Sequence, residues 1–581
     1  MDQPEHRAER LVLRYLDGVR RHEPVEATRI GLEGLDGELP DLDPAALAER
    51  SRDLAVLAAE TAVAHDELAD APGTAAREAA GDLALLSAEL EFRRYQLDVR
   101  PRLLLDPLAA LDTVAAAIHE LLARDDGSPV DRCRRLEAAS QRARRVPVLL
   151  EQASGLLATA PAPHLHVALQ RLPGLLTLVR DVLPSRAEAL GVDVSPARDA
   201  GEVAAEGLEA YAALLDELGD EQPGEWRLGP EQHATVLRSA LGTVMQPTQI
   251  EDRARTWIAG VRERLAEETG AAWAAHFPGE PVERDVDRRI RRTLGAIADT
   301  AVSRGALLDE AGLAIAEARD FALASGLTDV PPAARLRVRE VPPYLRGLAV
   351  AFVTQPPPLR PDTGCTYYLS PVPAEWSDEQ ARAFLRAFSP AALRSLAIHE
   401  GYPGHVVQLE HAALHPRLAR RLLSRPVFAE GWAVYIEREA MAAGFGRDGS
   451  STVTATDYRT IQLRNELRIA TAALVDVGLH AGELADDDAV ALLVRAAYQE
   501  PEEARATVLR AQVTSGQLSS YFVGGEELTD LRATVEAREG AEFDLARYHQ
   551  RVLSHGTPTV PLLASALADD APARRPFATR R

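Results

Sequence analysis

The sequence contains no lysine, so its basic complement is arginine alone. Schiff-base chemistry on a lysine amine is thereby excluded. Cysteine is nearly absent as well. Cys133 and Cys365 are the only two, too few for a disulfide framework or a cysteine-rich zinc site. No stretch approaches the ~18 uninterrupted apolar residues of a membrane-spanning helix, so no membrane partner is expected. The opening MDQPEHRAERL has no basic n-region, apolar core or small-residue cleavage site. No secretory signal is read there, and a cytoplasmic location is the expectation. Acidic residues outnumber basic ones by 88 to 65, for a net charge of −23. With no local basic patch, such a surface repels phosphate backbones, and nucleic-acid partners are not expected. The G-x-S-x-G elbow of serine hydrolases is also missing.

What is present is helix-forming. Hydrophobic residues make up 46% and charged residues 26%, a globular balance dominated by Ala, Leu, Arg and Glu. At 581 residues the chain exceeds one ordinary domain of about 100–200 residues, which calls for two or more lobes or a large fold with insertions. Residues 1–330 read as almost continuous helix, with apolar positions three and four apart, as in Leu54, Leu57, Ala58 and Thr61. They carry no cluster that demands chemistry: His164 and His166 lie beside Pro163 with no third ligand nearby. This half is read as a scaffold walling a cleft. Near residue 327 the texture changes. Prolines come in bursts, and short strand-like runs appear at Leu336–Arg339, Ala349–Val353 and Cys365–Leu369. After Trp376 helices resume to about residue 555. The expected fold is mainly α, with a small sheet of about three strands before a metal-binding helix, and residues 331–581 as the catalytic region.

That helix is SPAALRSLAIHEGYPGHVVQLEH. Ser389 suits an N-cap and Pro390 the first helical position. His399-Glu400 follow, then His405. In the common zinc helix two histidines stand at i and i+4, with a glutamate beside the first as general base. Here the spacing is i and i+6, which on a regular helix leaves the imidazoles about 120° apart. Pro403 removes the backbone bond to His399, and Gly404 tolerates unusual backbone, so a bulge there could return His405 to the face of His399. The HE dipeptide alone is uninformative, since it recurs at His22-Glu23 and His119-Glu120 without a second histidine near. A Pro-Gly break inside an apolar helix, however, costs ~3 kcal/mol or more and needs compensation. A catalytic zinc typically has three protein ligands. Glu430, flanked by Phe428, Gly431 and Trp432 in the next helix (opened by Pro426, stopped near Gly444), is a carboxylate in apolar surroundings that needs a partner. Glu437 and Glu439 read as solvated.

Four segments together resemble the bacterial family called domain of unknown function 885: His399-Glu400-Gly401-Tyr402-Pro403-Gly404-His405, then Glu430-Gly431-Trp432-Ala433-Val434-Tyr435, then Asp476-Val477-Gly478-Leu479-His480, and Ser515-Gly516-Gln517-Leu518-Ser519-Ser520-Tyr521-Phe522-Val523-Gly524. Ser515 stands where that family has proline. The resemblance implies a gluzincin-like zinc metallopeptidase binding one zinc ion through His399, His405 and Glu430. Glu400 becomes its general base. In that context His480 and Tyr521 are candidates to stabilise the oxyanion of the scissile carbonyl. Arg510 and Asp476 are candidates for substrate binding, with Arg464 and Arg468 as lesser carboxylate clamps. Short peptides are the expected substrates. A hydrolase of non-peptide amides and a non-catalytic scaffold that kept the motif remain as alternatives. His411, His415, His549 and His555 are not read as ligands.

Overall fold

The computed structural model describes residues 4–569 apart from 70, 125–126, 222–223, 332–335, 342–350, 355, 361–363, 375 and 448–452. The fold is mainly α with one three-stranded sheet, as expected. The strands are β1 (Leu336–Glu340), β2 (Ala351–Thr354) and β3 (Cys365–Leu369), in the order β1-β3-β2. Of the apolar run expected as the second strand, Ala349 and Val350 lie outside the described residues. β3 is central, parallel to β1 and antiparallel to β2. Its side chains alternate between faces. Cys365, Tyr367 and Leu369 enter the core that also holds Ile398, Tyr402, Phe428 and Trp432. Tyr368 points the other way, stacks on Phe352 at 5.2 Å and joins the core of helices between residues 108 and 215. The sheet is thus a partition between two cores, which explains why β3 is buried along its whole length.

Six helices build the candidate site: α1 (Pro390–Leu396), α2 (His405–Ala413), α3 (Pro426–Ala442), α4 (Ala455–Ala481), α5 (Pro501–Val513) and α6 (Gln517–Glu539). Their starts follow the sequence signals. Ser389 accepts a bond from the Ala392 N–H with Pro390 at the first position, Pro426 opens α3, and the Thr454 hydroxyl caps α4 by accepting from Asp457 N–H.

The apolar clusters run across residue 330. Helices within residues 4–94 share a core with Ala419 and Leu423. Leu237, Leu241, Ile250 and Ala254 pack with Val427, Ala470 and Phe522. The change of texture therefore does not separate two cores.

Candidate metal centre

The helix carrying His399 does not continue through His405. Ala397–Gly401 widen into one π-turn, closed by Tyr402 N–H donating to Ala397 C=O at 3.0 Å. Tyr402 is extended, and α2 starts afresh at His405. Gly404 makes this break sterically possible: a Cβ there would stand 2.0 Å from the His399 carbonyl oxygen and 2.2 Å from that of Ile398. The Trp432 indole N–H pins the break from α3 by donating to the Pro403 carbonyl at 3.1 Å. The backbone is thus reset between the two histidines, which removes the angular mismatch of an i, i+6 pair.

The consequence is a three-sided cluster. The Glu430 Oε2 atom lies 3.6 Å from His399 Nε2 and 3.4 Å from His405 Nε2. The two imidazoles meet edge to face at 4.9 Å. Among the described residues these three form the one group of His, Cys, Asp and Glu side chains whose donor atoms lie close enough together to hold an ion. A tetrahedral zinc with bonds of about 2.1 Å needs donor atoms about 3.4 Å apart, so the separations from Glu430 fit the ion. Burial alone would raise the Glu430 carboxyl, but its bonds to the two imidazoles outweigh that and hold it well below the usual carboxylate range.

A second carboxylate completes the centre. The His399 Nδ1–H donates to Glu437 Oε1 at 2.6 Å, which leaves Nε2 as the free donor facing Glu430. This is the carboxylate–histidine arrangement that fixes tautomer and ring orientation in zinc sites. Glu437 Oε2 accepts in turn from Ser395 Oγ at 3.4 Å, and Asn465 of α4 donates to Ser395 at 3.1 Å. The expectation that Glu437 and Glu439 are solvated is corrected: both are buried, and Glu439 pairs with Arg532 at 2.9 Å.

Glu400 sits within the electrostatic reach of His399, His405 and Glu430. Burial raises its carboxyl, the two imidazoles lower it, and the net direction is upward. Tyr521 of α6 stacks on His399 at 6.5 Å, and its hydroxyl accepts from Arg510 of α5 at 3.2 Å. Burial, and then the Glu430 charge, push that hydroxyl up to about 12, so it is a donor at any physiological pH. Tyr521 and Arg510 therefore join the cluster.

Asp476 and His480 do not. Asp476 is fully buried, where it accepts from Gly516 N–H at 3.2 Å and Ser519 Oγ–H at 2.5 Å. It anchors the start of α6, so its assignment to substrate is corrected to a positioning role. His480 lies fifteen residues beyond Asn465, about 22 Å along the axis of α4. Its Nε2 bonds the Ala511 carbonyl at 2.9 Å, and its ring is wedged between His233 and Trp226. A buried imidazole so engaged has no access to a scissile carbonyl. Arg464 and Arg468 are also set aside as clamps, because both are paired with Glu503. His411, His415, His549 and His555 stand outside the cluster.

The family described as "Bacterial protein of unknown function (DUF885)" matches residues 24–567. No curated protein matches the chain. Solved structures share the fold, and two of them are chains described as lipoproteins. One is described as a "putative lipoprotein of unknown function" from Shewanella oneidensis, with a TM-score of 0.78 and 21% identity, covering 98% of this chain and 100% of its own. The other, a "putative lipoprotein" from Colwellia psychrerythraea, has a TM-score of 0.74 and 16% identity, covering 97% of this chain and 98% of its own. These relatives correct the expectation of a cytoplasmic location: chains described as lipoproteins share the fold from end to end. Among the described residues no helix is long and apolar enough to cross a membrane.

Proposed function

The chain belongs to the bacterial DUF885 family, a membership that assigns no activity, and from the site itself we propose that it hydrolyses peptide bonds of short peptides with zinc as cofactor. The observation that carries the reading is the donor geometry. Two imidazole nitrogens converge on one carboxylate oxygen, and an outer carboxylate orients the first imidazole. A zinc ion held by His399, His405 and Glu430 would supply Lewis acidity, lowering the pKa of water to about 7 and polarising the scissile carbonyl. Glu400 accepts a proton from the attacking water as its oxygen adds to the carbonyl carbon. It returns that proton to the amide nitrogen as the C–N bond breaks, leaving a carboxylic acid and an amine. Tyr521 donates its hydroxyl hydrogen to the developing oxyanion. Glu437 holds His399 in the tautomer that presents Nε2. These roles are those of a gluzincin-like peptidase. An extended peptide would add to an edge of the small sheet through main-chain bonds. The helices before residue 330 would exclude folded substrates, so rapid cleavage of a folded protein counts against the proposal.

The test is peptide turnover by the zinc-loaded protein. A chelator is expected to abolish it and zinc to restore it. Glu400→Gln is expected to keep the metal while losing about 10²–10⁴ in kcat. Unchanged turnover in that variant would refute the assignment of the base. Cleavage of acyl-amino-acid amides in preference to peptides would move the activity to non-peptide amides.

A further inference from the structure

Arg510 differs from the other arginines near the cluster. Arg394 is paired with Glu310 and Glu317, Arg438 with Glu526, and Arg464 and Arg468 with Glu503. Arg510 is exposed, and no carboxylate among the described residues lies within ion-pair distance of it. Its bonds go to neutral acceptors, from Nε to Gln517 Oε1 at 2.9 Å and from an NH2 group to the Tyr521 hydroxyl at 3.2 Å. In a chain with 88 acidic residues against 65 basic ones, a guanidinium with no acid among its described neighbours, beside the proposed zinc site, is placed to take an anion. The guanidinium carbon is 5.9 Å from the Tyr521 ring, which is 6.5 Å from the ring of His399. Together those spans cannot exceed the length of about four extended residues.

We infer that Arg510 binds the free C-terminal carboxylate of the substrate, so that the enzyme cleaves within a few residues of the chain end and acts as a carboxypeptidase-type exopeptidase. The inference rests on the proposed peptide hydrolysis and adds the substrate's end group to it. A planar guanidinium matches a carboxylate through two parallel bonds. Gln517 and Tyr521, both on α6, hold that fork by its Nε–H and one of its NH2 groups. Tyr521 then links two events, since the hydroxyl that accepts from Arg510 belongs to the ring stacked on His399. A carboxylate seated at Arg510 lies at a fixed span from the bond being cut.

The experiment compares N-acetylated peptides of one sequence, ending either in the free acid or in the C-terminal amide, on the full-length zinc-loaded protein. Blocking the N-terminus removes the other chain end from consideration. The expected result is release of short C-terminal products, with kcat/KM about ten- to a hundredfold higher for the acid. Arg510→Ala is expected to bring the acid down to the rate of the amide, chiefly through KM, and Arg510→Lys to fall between, because it keeps the charge but loses the fork. The acid–amide comparison needs no variant, so a misfolded substitution does not blunt it. Equal turnover of acid and amide, or cuts spread through the interior of the peptide, would overturn the inference and leave the hydrolase standing. Failure to cut either peptide with zinc bound would instead remove the hydrolase reading, and this inference with it.

Discussion

The carboxylate of Glu437 decides which nitrogen of His399 is offered to a metal. With Nδ1–H donated to Glu437 at 2.6 Å, Nε2 is left free for the proposed zinc. Glu437→Ala is expected to weaken zinc about 10–100-fold, read by competition with a chromogenic chelator, with Glu437→Gln recovering part of the loss. Zinc affinity unaffected by the alanine would mean that the ring is held by packing alone. The signal for this residue was in the sequence: Glu430 and Glu437 are seven residues apart, two turns along one face of α3. Judged singly, a helical glutamate looks solvated, and the pairing shows only once the helix is known to be buried all round. Asp476 carries a pH-dependent prediction. It faces Gly516 N–H, Ser519 and the imidazoles of His233 and His480, each 3.9 Å away. Burial pushes its carboxyl up to about 7, against the lowering by Ser519 and Gly516. Both imidazoles are depressed by burial, to about 3 and about 4, so they stay neutral. Because the folded value lies above the unfolded one, Asp476 contributes stability that is full below pH ~4 and is lost as pH rises to about 7. Asp476→Asn is therefore expected to match the parent in acid and to exceed its stability by about 4 kcal/mol at pH 8, measured by urea unfolding. A stability difference that does not change between pH 5 and pH 8 would sink this account.

At the scale of elements, the site depends on how closely α3 approaches α6. They cross at Gly431 and Gly524, where a Cβ on Gly431 would stand 2.5 Å from the Gly524 carbonyl carbon, and one on Gly524 2.1 Å from the Val427 oxygen. These contacts are to backbone, so neither helix yields without moving. Glu430 is one residue from the crossing and Tyr521 three, which ties the proposed metal ligand to the proposed oxyanion donor. Gly431→Ala is expected to cost about 1–3 kcal/mol in urea unfolding by overpacking, together with a fall in kcat/KM as the two side chains separate. Gly260→Ala is the control: it lies in the helix Pro247–His276 with nothing within 4 Å of a Cβ, so it should gain about 0.5–1 kcal/mol. Equal behaviour of the two variants would show that the crossing is not tight. Much at this scale was legible in advance. Ser389-Pro390 and Pro426 mark helix starts, and the Pro-Gly pair required a break between the histidines. The form of the break was not legible: a bulge in one helix was the expectation, whereas a π-turn ends one helix and a second begins at His405. The four-residue spacing of Asp476 and His480 puts them on one helix face, but spacing does not say what a face meets, and here it meets the core.

The whole molecule gives the helices before residue 330 a larger part than walling a cleft. Asp82 is buried and pairs with Arg417 at 2.5 Å and Arg420 at 2.9 Å, both in the segment joining α2 to α3. Glu89 lies 3.8 Å from Arg425, just before α3 opens. On the other side of the sheet, Tyr368 is covered by the helices between residues 108 and 215. Periodicity in the sequence could identify these helices, but it could not assign their apolar faces to partners hundreds of residues away. Residues 331–581 produced alone would expose Tyr368, Leu423, Val427 and Leu474 and leave Arg420 and Arg425 without their acids. Each large apolar side chain returned to water costs about 1.5–3 kcal/mol, against a total stability of about 5–15 kcal/mol for an ordinary domain. The fragment is therefore expected to lack a cooperative urea transition and a near-ultraviolet circular dichroism signal, and to bind zinc no better than an unfolded chain carrying the same ligands. Adding residues 1–330 as a separate chain should restore both signals, since the missing surface is then supplied in trans. A fragment 331–581 that unfolds cooperatively by itself, with zinc bound, would show that the catalytic region carries its own core and that the long helices serve only to restrict access.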